Sequence, residues 1–144
     1  MLMTEERQTA PDDYRTAIAQ LRQETLDDLL SRWDNWLHPV QVSRGYAHSS
    51  AEGALYRTSR QYDDANGALD DAIEHQTMQG VQACVELLSL EHRVAVHIEA
   101  RNLRLGLSVW RSPRLPASEA EAREVIRAAR SSLLVHLVRA GLVD

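Results

Sequence analysis

Six histidines, His38, His48, His75, His92, His97 and His136, are scattered along the chain. None forms an H-E-x-x-H, H-x-x-x-H or E-x-x-H arrangement with a facing partner, and converging ligands are what a metal centre needs. His92 and His97 are five residues apart, which places them on different faces of a helix. Four acidic pairs, Asp12-Asp13, Asp27-Asp28, Asp63-Asp64 and Asp70-Asp71, could each contribute to a divalent cation site. Adjacent helical carboxylates diverge by about 100°, so such a site needs a partner from another helix. The simpler reading is that these pairs favour helix N-termini and solvated faces. The single cysteine, Cys84, can make neither an internal disulfide nor a thiolate zinc cluster, which fits a reducing compartment. No phosphate-binding glycine loop and no nucleophile elbow occurs. The expectation is a protein that is not an enzyme, with no cofactor and no metal.

Guanidinium chemistry is the exception. All 16 basic residues are arginine, a bias that a GC-rich genome or selection for bidentate anion contacts would produce. Residues 1–100 hold eight arginines against seventeen acids, a net −9, whereas residues 101–144 hold eight against four, a net +4. A basic C-terminal third suits a polyanion and an acidic remainder suits a basic protein surface, unless the two halves neutralise one another inside the fold. Arg123, Arg127 and Arg130 recur at i, i+4 and i+7, which would bring them to one helix face where they could follow phosphates or meet guanine. Arg101, Arg104, Arg111 and Arg114 precede them and could flank the same groove. The competing reading pairs Glu119 with Arg123 and Glu124 with Arg127 along an ordinary solvated face. Asp12, Asp13, Asp27 and Asp28 are the candidate partner-binding residues of the acidic half.

The elements that must position these residues read as all-helical. At 144 residues the chain suits one domain, burying roughly 68–70% of its unfolded surface. It carries no apolar run near the roughly 18–20 residues of a membrane span and no signal-peptide pattern, so a soluble cytoplasmic protein without membrane contact is expected. Tyr14, Ile18, Leu21, Leu26, Leu29, Leu30, Trp33, Trp36 and Leu37 predict a first helix beginning at Asp12 behind Pro11. Tryptophans three apart share a face and suit a core position. A loop from His38 to Ser49 leads to a capping box, Ser49 with Glu52, and a short second helix to about Tyr62. A third helix begins near Asp63, places Ala68, Leu69, Ala72, Ile73, Val81, Val85 and Leu88 on its apolar side, and has a weak point at Gly80. Ser89 caps a fourth that stops before Gly106. Ser118 with Glu121 forms a second capping box for a fifth, stopped by Gly141. The predicted fold is a compact bundle of about five helices in a single domain, 1–144, with an acidic body over 1–86 and a basic unit over 87–144.

The basic unit resembles the helix-turn-helix of region 4 of bacterial sigma factors. The matching positions are Ser89 and Arg93, Gly106, the Val109-Trp110 segment, Leu115, Ser118, and then Val125, Ala128, Arg130, Leu133 and Leu137. Pro113 and Pro116 depart from the pattern, because they interrupt what should be the first DNA-facing helix and leave it shortened or rebuilt as a loop. Over about two-thirds of the chain a wider pattern is similar to the small phage antitermination Q proteins. It consists of Arg32, Trp33 and Trp36 after a leucine-rich helix, the Gly45-Tyr46 loop, the Asp63-Asp64 helix start and the terminal unit.

That resemblance implies a transcription regulator that binds double-stranded DNA and bacterial RNA polymerase, with or without its sigma factor, so that terminators are read through. It implies DNA contacts at Arg111, Arg114, Ser118, Arg123, Arg127 and Arg130. The zinc-binding cysteine cluster of some relatives is ruled out by the lone Cys84. The alternative is a helical protein-interaction module that inhibits or redirects a host factor without touching DNA.

Overall fold

The computed structural model describes residues 2–39 and 61–144. Among them are four helices and no strand: α1 (Leu2–Leu37), α2 (Gln61–Glu86), α3 (Leu90–Leu105) and α4 (Glu119–Arg139). The expected short helix from Ser49 to Tyr62 lies mostly outside the described residues. No described helix is long and apolar enough to cross a membrane.

Local chemistry explains where the later helices begin and end. Ser89 takes an extended backbone and its Oγ accepts from the His92 amide at 3.3 Å, satisfying one of the donors a helix start leaves open. Gly106 ends α3 in the left-handed conformation, φ 66°, with its own amide and that of Leu107 folded back onto the Asn102 carbonyl. Gly141, φ 77°, takes the same left-handed conformation one residue beyond Ala140, the cap of α4. Ser118 stands at the predicted start of α4, but its side chain makes no capping bond, so the boundary holds without the capping box. The first helix differs more. It runs through Pro11 to begin at Leu2 rather than at Asp12; proline supplies no amide there, so the helical ladder lacks one rung.

One apolar cluster joins both charge halves of the chain. Leu26, Leu29, Leu30 and Trp33 of α1 meet Met78, Val81, Cys84 and Val85 of α2, Ala95, Val96 and Ala100 of α3, and Ala122, Ile126, Ala129, Leu133 and Leu137 of α4. The small residues of α3 let it pack against the other three helices. Trp33 is fully buried and donates its indole N–H to Gln82 Oε1 at 3.0 Å, while half-buried Trp36 donates to His75 Nδ1 at 3.0 Å. The two tryptophans thereby fasten α1 to α2.

Other apolar residues predicted to face the core do not. Tyr14, Leu21, Leu69 and Ile73 are all more than half exposed. Helical periodicity correctly gives each of these a face, but a face is buried only where another element lies alongside it.

Candidate nucleic-acid interface

The segment from Gly106 to Ser118 contains no helix. Pro113 and Pro116 account for this, since neither can donate to a helical ladder and each disfavours helix in the residue before it. Its course is fixed by contacts instead. The Asn102 carboxamide holds both backbone groups of Val109, donating to its carbonyl at 2.7 Å and accepting from its amide at 3.2 Å. The Leu115 amide closes a turn onto the Ser112 carbonyl at 3.1 Å, and the Leu115 side chain is buried in the core. Trp110 is half-buried against that core, with the Arg111 guanidinium 5.3 Å from its ring centre.

Between α3 and this segment lies a groove of about 560 Å³. Val94, Ile98, Leu107 and Val109 give it an apolar lining, Arg101, Arg111 and Arg114 line it as well, and among the described residues no acidic side chain does. All three arginines are exposed, and none has an acidic partner among the described residues. His97 also lines the groove, its ring tilted 43° against that of Trp33 with centroids 4.6 Å apart. Although much of His97 remains open to solvent, burial of the ring pushes its pKa below the ordinary imidazole value. Asp34 opposes that shift and His38 reinforces it.

A second, smaller groove of about 230 Å³ lies against α4. Arg123, Arg127 and Arg130 all line it, together with Glu99, Asn102 and Trp110. The three arginines therefore share a site, but they do not face solvent together as their spacing predicts. Arg123 and Arg127 are exposed and pair along the helix with Glu119 at 2.9 Å and Glu124 at 2.5 Å. Arg127 holds the Glu124 carboxyl below its usual range. The Arg130 side chain retains only 16% of its exposure; it lies 2.6 Å from Asp27 and 3.5 Å from Glu99, and donates to Gln23 Oε1 at 2.8 Å. The physical reason is position, because the i+7 residue stands where α4 passes α1 and α3.

The remaining candidates divide in the same way. Ser118 is exposed, with its hydroxyl uncommitted to the helix it precedes. Arg104 does not flank a groove; it turns inward to Asp34, whose side chain is only 3% exposed. Asp12 and Asp13 are exposed on α1, Asp28 pairs with Arg32 at 2.9 Å, and Asp27 is half-buried beside Arg130 and so is not part of a free acidic surface. Asn102 is the residue that sequence reasoning missed. Its one signal was an amide side chain in the last turn before a glycine stop. Among the described residues no three histidine, cysteine or acidic side chains gather as metal ligands would. Compared with known proteins, the chain matches no family model, no curated protein and no solved structure.

Proposed function

We propose that this protein is a DNA-binding transcription regulator of the phage antitermination type. In this reading the loop between α3 and α4 carries the principal DNA contacts and bacterial RNA polymerase is the protein partner. The observation that carries the reading is the convergence of Arg101, Arg111 and Arg114, exposed and without acidic partners among the described residues, on one groove that no carboxylate among them lines. Each guanidinium that meets a phosphate releases a condensed counterion, a source of affinity that needs no base contact. Arg123 and Arg127 extend the basic surface, because exposed ion pairs within a helix hold an arginine only weakly and a phosphate can displace them. The loop takes the place of the first DNA-facing helix in a helix-turn-helix-like unit. Exposed Asp12 and Asp13, repelled by DNA, belong to the polymerase side.

A gel-shift titration on phage late-promoter DNA, with and without polymerase, tests this. Replacing Arg101, Arg111 and Arg114 together by alanine should leave the helical circular dichroism intact, weaken binding and flatten the salt dependence by about 2–3 units of log–log slope. An unchanged slope overturns the assignment of these residues. If the parent binds no DNA even at low salt, the protein-interaction module replaces this reading, and the apolar lining of the same groove is what favours it.

A further inference from the structure

Building on the DNA-binding reading, we infer that the groove between α3 and the 107–114 segment takes single-stranded nucleic acid, with phosphates on its arginines and unstacked bases on its apolar lining. A duplex presents only its charged backbone and groove edges, so a surface that meets its backbone alone has no use for apolar side chains among its arginines. A single strand offers charge and exposed base faces together, and proteins that hold one combine a basic track with flat apolar or aromatic platforms. Both halves of that combination are present. Ile98 and Val109 give the groove apolar lining, Arg101, Arg111 and Arg114 line it too, and among the described residues no carboxylate does.

His97 supplies the flat platform. Its ring packs at a 43° tilt against fully buried Trp33 on one side, while the residue remains exposed at the groove. The shift of its pKa below the ordinary value keeps the imidazole neutral at pH 7, suited to stacking on any base. Stacking of this kind tolerates any sequence, so base identity should matter less than strandedness. An acidic peptide would match the arginine charge equally well, but it would have no need of a planar platform in the groove.

The test uses fluorescence anisotropy with the full chain and two labelled oligonucleotides of the same sequence, one single-stranded and one closed as a hairpin duplex. The single strand should bind at least about 10-fold tighter at matched salt. His97→Ala should cost the single strand about 5-fold or more while changing duplex affinity less than 2-fold, and His97→Tyr, which restores an aromatic plane, should recover most of the loss. Thermal melts accompany each variant, and the His97→Tyr rescue separates a stacking role from a loss of folding. Equal affinity for the two oligonucleotides, or equal losses on both in His97→Ala, overturns the inference and leaves the DNA-binding reading standing. If neither oligonucleotide binds at low salt, both fall. If labelled poly-glutamate binds while the oligonucleotides do not, the groove is a protein-docking site instead.

Discussion

Arg104 on α3 donates its Nε hydrogen to Asp34 on α1, the only charged residue buried in the core among those described. The pair joins positions 70 residues apart at the most extensive helix contact of the fold. Replacing Arg104 with Met should destabilise the protein by about 3–5 kcal/mol, because it strands a buried carboxylate. Replacing Asp34 with Leu in the same chain should recover most of that loss, since a packed apolar pair avoids the desolvation of two charges. Urea unfolding of the two variants checks this, and a double variant no more stable than Arg104→Met alone would contradict it.

Arg123 and Arg127 should separate cleanly from Arg130 in the same measurement. Alanine at either exposed position should leave the urea midpoint essentially unchanged. Arg130→Ala removes a charged donor shared by Gln23 and Glu99 and leaves Asp27 without its cation, so a loss of about 1.5–3 kcal/mol is expected. Equal effects at all three positions would mean that the inward side chain of Arg130 holds nothing together.

Acid should weaken the fold through His97. Its folded pKa lies below the ordinary 6.5, so as pH falls the unfolded chain takes up this proton before the folded one does. The stability tied to the neutral ring is therefore fully present above about pH 6.5 and declines as pH drops from there toward the lower folded value. Urea midpoints measured at about pH 7.5 and about pH 5.5 should fall with acid in the parent and fall less in His97→Gln. Parallel declines in the two proteins would assign the acid sensitivity to other groups.

Features written in one or two neighbouring residues were legible from the chain alone. Ser89, Gly106 and Gly141 mark helix ends because capping depends on a single backbone conformation or one hydroxyl. The Leu26, Leu29, Leu30 and Trp33 face was legible too, and so were the helical pairs of Arg123 and Arg127, since each repeats at helical spacing. What the sequence did not disclose depends on distant chain. Leu69 and Ile73 carry the same periodicity as the core residues and remain exposed. Arg130 is chemically identical to Arg123, yet its neighbours come from α1 and α3, which no local spacing announces. Gly80, a weak point by helix propensity, is closely approached from the far end of the chain: a Cβ there would lie 3.1 Å from Leu142 Cδ1.

The Asn102 latch makes the arginine-bearing segment a replaceable cassette. The carboxamide imitates a peptide group and binds only the N–H and C=O of Val109, so it is indifferent to the side chain at that position. Buried Leu115 secures the other end. Between these two anchors the exposed side chains of Arg111 and Arg114 can be exchanged without rewriting the helices, whereas Trp110 packs on the core and Pro113 keeps the segment non-helical. The molecule therefore keeps its scaffold and its contact surface under separate control, and a new binding preference could arise from changes confined to the exposed positions of this short segment.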